Sequence, residues 1–472
     1  MEEHKKYVAF SGRVIVLGFG SIGQAALPLL LRHLDIQPAQ IRVLSRSPDK
    51  SGIAAEYGID FHAQALNEGN YEIVLDALLR EGDFLLNLSV DVSSLELIRY
   101  CWRRKILYLD TCIEPWAGSY INPDLSPSQR SNYALREQVL AFRLDKRTGP
   151  TAVVTQGANP GLASIFVKQA LLCMARDNEL EFSKPTCYEE WAALAVQLQI
   201  KVIHIAERDT QISSRRKRAN EFVNTWSVDG FANEGLQPAE LGWGTHERHW
   251  PDDAHRHGYG SDAAIFLNRP GVATRVRSWT PLEGPYQGFL VTHGESISIA
   301  DHLTLREGIE VRYRPTVHYA YHPCDDAVLS LHEMAGKNWK LQREHRIMRE
   351  EIETGHDELG VLLMGNQKGV YWYGSRLSIE QARELAPHNT ATSLQVAAGV
   401  LGGVIWAIHH PSEGVVEPDD IDYELVLEIA APYLGDLVGV YSDWTPLANR
   451  SALFEEKMDN DDPWQFINFR VT

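Results

Sequence analysis

Cysteine is scarce in this chain. Five thiols in 472 residues, Cys101, Cys112, Cys173, Cys187 and Cys324, are odd in number and follow no spacing pattern. That excludes a disulfide framework and fits reduced thiols in a reducing compartment. Long uncharged runs are missing as well. None is long enough to span a bilayer, and Met1–Lys6 has no apolar signal-peptide core, so a cytoplasmic location without a membrane partner is expected. Positive charge is in deficit: 45 Lys and Arg against 63 Asp and Glu give a net charge of −18. Such a surface repels phosphate backbones and acidic lipids, so no nucleic-acid partner is expected. The one basic cluster, Arg215–Arg218, reads as a solvated loop. A Gly-x-Ser-x-Gly elbow is absent, which leaves hydrolase readings without a foothold. His318, His322 and Cys324 imitate metal-ligand spacing. In a strand, however, residues four apart lie about 13 Å apart, and no metal is expected.

At this length two or three domains are expected, and 44% hydrophobic with 23% charged residues reads as globular. The chain is organised around Gly18-Phe-Gly-Ser-Ile-Gly23, which ends the β-branched run Arg13–Leu17. Strand, G-x-G-x-x-G, then helix is the dinucleotide-binding fingerprint in its required context. Gly18 makes the tight turn, Gly20 lets a pyrophosphate approach, and Gly23 packs helix on strand. The helix, Ser21 to His33, turns its free N–H groups to the phosphates. Further apolar runs at Ile41–Leu44, Asp83–Val90, Ile106–Asp110 and Thr151–Thr155 alternate with helical segments. They imply a mostly parallel sheet in an α/β, Rossmann-type domain over 1–155. Ligands in such sheets sit beyond the strand carboxyl ends. That places Asn87 to Asp91 (with Ser89), Asp110 to Glu114 (with Thr111) and Gln156 to Gly161 (with Asn159) around one cleft. Residues 156–472 read as an α+β substrate-binding and dimerisation domain, with a return to the first domain near 386–410.

Position 45 resists the pattern. An acidic residue there would bind the adenosine ribose and select NAD; Ser45 and Arg46 stand instead. Either could accept a 2′-phosphate, so NAD is kept ahead of NADP with the choice open. Two segments gather polar groups within apolar flanks: Ile203–Gln211, leading to Trp226, and Val291–Ser298. Carboxylates beside an indole suit a dication, each carboxylate pairing one ammonium and the ring face holding a desolvated cation. The plainer alternative pairs Glu207 with Arg208 and leaves Trp226 in the core.

These residues resemble the bacterial homospermidine synthase family, distantly related to saccharopine and carboxynorspermidine dehydrogenases. The likeness rests on Gly18–Gly23, Asn87–Asp91, Glu114-Pro-Trp116, Ser131–Arg136, Gly157–Gly161, His204–Gln211, Gly235–Thr245, Arg275–Pro281, Tyr319–Cys324 and Asp443–Pro446, spread over nearly the whole chain. The resemblance implies a transferase in polyamine biosynthesis that joins two putrescine molecules into homospermidine with loss of ammonia. Oxidation to an imine, exchange of amines and re-reduction would use NAD as a prosthetic group. It implies Glu207, Asn159 and His293 as catalytic residues, with Asp91, Trp226, Glu234 and Glu295 holding substrate. Gly18, Gly20, Ser21, Ile22, Gly23, Ser45, Asn87, Ser89, Thr111 and Asn159 would hold the cofactor. Putrescine and related diamines would be the ligands, and a homodimer the assembly. Two rivals stay open: a saccharopine- or carboxynorspermidine-type dehydrogenase, and a dinucleotide-binding protein without catalysis.

Overall fold

The computed structural model describes residues 4–146, 148–450 and 456–471. The first sheet is parallel throughout. Its seven strands run Asp60–Ala63, Ile41–Ser45, Val14–Leu17, Phe84–Asn87, Leu107–Asp110, Gly149–Val153 and Glu413–Val416 in space. The first six follow the doubly wound order that opens a ligand crevice beside the central strand. Val14–Leu17 is buried at every position. Val14 and Val16 join the core under helix Ser21–His33, while Ile15 and Leu17 join the one under Ser94–Arg104. Cover on both faces is the reason the run shows no alternation. The helix from Ser21 to His33 begins at Gly20 with no side-chain cap.

The second layer is an eleven-stranded mixed sheet. At its centre Val202–Asp209 runs parallel to Thr316–His322 and antiparallel to His356–Met364. Here alternation returns. Ile203 and Ile205 face the core shared with the first sheet, whereas Val202 and Ala206 face a second core containing Phe466 and Phe469. Glu207 and Tyr319 therefore lie on the inner side. His318 lies on the other, against Phe466 and Phe469. The architecture is thus a Rossmann-like domain with a parallel sheet joined to a mixed-sheet domain.

One helix binds the layers. Contrary to the sequence reading that no uncharged run could span a bilayer, Ala391–His409, capped by Thr390 and Ser393, is apolar and long enough to cross a membrane. It instead packs between the sheets, 89% of its most apolar window being buried, with Ser21–His33 on one side. The chain then adds Glu413–Val416 beside Gly149–Val153. A buried Arg136 guanidinium fixes this return, donating to Glu417 at 2.7 and 2.8 Å and to Asp301 at 3.0 Å. Gly399 lets the helix cross the 157–161 turn, since a Cβ there would run into the Gly157 carbonyl.

Gly399→Ala is expected to force that turn outward. Overpacking of this kind costs about 1–3 kcal/mol; differential scanning calorimetry should show a melting temperature lower by several degrees.

Candidate functional site

A cleft of about 780 Å³ lies between the two sheets, beyond the carboxyl end of Val14–Leu17. At one end stands the glycine turn. Gly18 has φ +87° and a Cβ on it would sit 2.5 Å from the Leu88 carbonyl oxygen; one on Gly23 would sit 2.7 Å from that of Gly18. Nothing lies within 4 Å of a Cβ position on Gly20. The turn is thus closed at two glycines and open at the third, where a pyrophosphate must approach. With the uncapped helix behind it, free N–H donors and the positive end of the dipole face this opening. The residues fit a dinucleotide.

Ser21, Ile22, Ser45, Ser89, Thr111 and Asn159 line the same cleft, as do Asp91, Glu207, Trp226, Glu234 and His293. Three expected residues do not line it. Gly23 packs behind the turn. Asn87 is buried and works through Ser89, whose N–H and hydroxyl donate to its Oδ1 at 3.2 and 2.6 Å. Glu295 lies behind His293. The strand ends and helix starts leave these three residues one layer back from the ligand space.

At the other end of the cleft four elements meet. Strand Val202–Asp209 brings Glu207, 1% exposed. The next strand brings Tyr319, and the turn at 157–161 brings Asn159. Both donate to the same Glu207 oxygen, and Asn159 donates to the Tyr319 hydroxyl at 2.6 Å. Burial drives the Glu207 carboxyl up to about 7, with the two hydrogen bonds pulling the other way. Trp226 ends the segment before helix Val228–Leu236, which Ser227 caps through its side chain. Its indole N–H donates to Tyr321 at 3.0 Å, which holds the ring at the cleft wall.

His293 precedes helix Gly294–His302 and sits between Glu234 and Glu295, 3.2 Å from each. Burial opposes its charge, yet Glu295 and then Glu234 lift it to about 10. It is an imidazolium at neutral pH, donating to both carboxylates.

Several lining residues escaped sequence reasoning. Glu114 is buried in the cleft wall with Oε2 unpartnered, and burial together with the Glu234 carboxylate pushes it up to about 8. The strand-end rule places the Asp110–Glu114 segment at the cleft, and the Glu-Pro-Trp run belongs to the family likeness, but neither singles out Glu114 as a site residue. Tyr319 was legible only as one aromatic in a strand. Arg349, from the second domain, donates to Gln24 of the glycine-turn helix at 2.6 Å, and Asp229 faces Arg46 at 3.6 Å; nothing in the local sequence points to either. The cleft's basic residues gather at the nucleotide end. Arg46 and Lys50 follow the second strand, Arg349 reaches the glycine-turn helix, and Arg346 is paired with Glu221 and Glu351.

Two family models match, described as the saccharopine dehydrogenase NADP binding domain over residues 14–153 and the saccharopine dehydrogenase C-terminal domain over 157–442. A homospermidine synthase from Blastochloris viridis is 53% identical over the full length of both chains. One from Mesorhizobium japonicum is 49% identical, with 98% of this chain and 97% of the other covered. The solved homospermidine synthase of Legionella pneumophila, in complex with NAD, superposes with a TM-score of 0.92 at 50% identity, covering 98% of each chain. With both halves of the cleft and the whole length accounted for in this way, the chain belongs to the homospermidine synthase family.

Proposed function

We propose that this protein joins two putrescine molecules into homospermidine and ammonia, with NAD held as a prosthetic group. The observation that carries the reading is the acid-walled end of the dinucleotide cleft, whose lining includes Asp91, Glu114, Glu207 and Glu234 together with Trp226. Among the described residues no lysine or arginine lines that end. A dication gains there from the carboxylates and the indole, whereas an amino-dicarboxylate would meet mostly like charge, the one cation, His293, being already clamped between Glu234 and Glu295. The acidic walls thus speak against the saccharopine-type dehydrogenase.

NAD when bound supplies the hydride chemistry, accepting a hydride from the amine-bearing carbon of one putrescine and returning it to the C=N bond made with the second. The chain's own residues prepare both steps. Glu207, buried and poised near neutrality, takes the proton from the reacting ammonium so that a free amine is present. Asn159 and Tyr319 hold that carboxylate by its other contacts and keep its oxygen aimed across the turn. Asp91, Glu114 and Glu234 hold the distal ammonium groups. Glu114 is raised by burial and by the charge of Glu234, and a cation arriving beside it favours its ionised form. Trp226 holds the cationic carbon chain against its face, worth about 2 kcal/mol when desolvated. His293, kept charged by Glu234 and Glu295, positions Glu234 rather than shuttling a proton, and Glu295 supports it. The position of the cleft between two sheets limits the access of water to the imine. A cytoplasmic homodimer is part of the same proposal, a symmetric pair being the commonest assembly.

Product analysis tests the reaction. Putrescine and NAD should yield homospermidine and ammonia by mass spectrometry with no accumulation of free NADH; steady NADH build-up or no product at all refutes it. Glu207→Gln should lower kcat at least ~100-fold, the low end for loss of an acid–base group, while the purified protein keeps its NAD. Because the base works only when deprotonated, native activity should fall as pH drops below about 7, and the residual activity of Glu207→Gln should lack that limb. Trp226→Phe should be milder than Trp226→Ala in kcat/KM, since phenylalanine keeps a weaker π-face. Equal losses would make the indole a packing residue.

A further inference from the structure

The nucleotide end of the cleft lacks the acidic residue that a dinucleotide fold ordinarily places at the end of its second strand. Ser45 occupies that place and Arg46 follows it. Taken alone, that pair invites a 2′-phosphate. Across the cleft, helix Val228–Leu236 of the second domain presents Asp229 in its first turn. Its Oδ2 lies 3.6 Å from an Arg46 guanidinium nitrogen, and its Oδ1 lies 3.0 Å from His345 Nδ1. All three residues line the cleft together with Ser45, Ser47, Asp49, Lys50 and Gln64.

We propose that Asp229 supplies, from the second domain, the ribose-binding carboxylate missing at position 45, and so makes the site selective for NAD over NADP. This deepens the reading of the cleft as a dinucleotide site and is independent of which amine reacts. Three physical features support it. The carboxylate reaches position 46 across the cleft, within an ion pair's length of the residue next to Ser45. It is 43% exposed in its side chain and lies in the first turn of its helix, where the dipole favours negative charge. It also engages Arg46, the cation a 2′-phosphate would need. A phosphate entering there would have to share that guanidinium and sit beside a carboxylate, whereas the two ribose hydroxyls of NAD have an acceptor in the same position. The groups facing Asp229 from the packed elements are Arg46 from the first domain and His345 from the strand Glu344–Ile347. A carboxylate supplied from the far wall also joins the two domains through the bound nucleotide, which suits a cofactor that must stay in place between oxidation and re-reduction.

The test reads binding, not turnover. Protein stripped of cofactor is titrated with NAD and with NADP by calorimetry, and the ratio of the two Kd values is compared among variants. Native protein should prefer NAD. D229N should lose at least fivefold of that preference, chiefly through tighter NADP binding, and the double variant S45D/D229N, with the acid in the ordinary place, should regain it. A smaller change in D229N, or no recovery in the double variant, overturns the assignment. Failure to make homospermidine would refute the proposed reaction while leaving this ratio as a valid measure of Asp229.

Discussion

A carboxylate buried at the seam of two sheets is the constraint from which the rest follows. Glu207 sits on an inner strand where its neighbours are core residues, and an ionised group there is costly unless it is hydrogen-bonded or meets a cation. The protein meets that cost locally with Asn159 from the turn after the first domain and Tyr319 from the neighbouring strand. The compromise leaves the group near neutrality, able both to accept a proton and to hold a charged amine. A more exposed glutamate would stay ionised and bind cations less selectively; one with no donors would stay protonated.

The same logic organises the surrounding charges. Glu234 and Glu295 are not free acids but clamp His293 between them, so a layer of negative charge is held in one orientation by a buried positive one. The nucleotide end has opposite needs, and there the free donors are backbone N–H groups of the uncapped helix, with arginines such as Arg349 close by. One cleft therefore carries two electrostatic halves, and the helix Ala391–His409 keeps them in register. It packs on the glycine-turn helix and crosses the Asn159 turn at Gly399, so both halves rest on a single rigid element.

Much of this was legible in the residues. The glycine turn, the buried strands and the helix from Ser21 to His33 obey local rules, because a β-branched run and a G-x-G-x-x-G spacing need no distant partner to be read. Glu207, Trp226, Glu234 and His293 were visible as polar groups inside apolar flanks, and the family resemblance assigned them together. The roles of Tyr319, Arg349 and Asp229 were not visible, since a tyrosine in a strand or an aspartate at a helix start has many ordinary uses. The same limit applies to Asn87 and Glu295, which stand one layer behind the ligand space. Sequence patterns mark a residue's neighbourhood but not which side of it faces the cavity.

The amino-acid sequence by itself determined the dinucleotide fold, the acidic character of the chain and the family, because these depend on spacing, composition and extended likeness. Only the tertiary structure decided which carboxylates share a cavity, which are spent on holding His293, and that the adenosine end borrows an acid from the opposite domain. The reason is physical: charge interactions fall with distance and rise with burial, and both quantities exist only once strands from positions near 207 and 319 and a helix from beyond 390 have been brought against the first sheet.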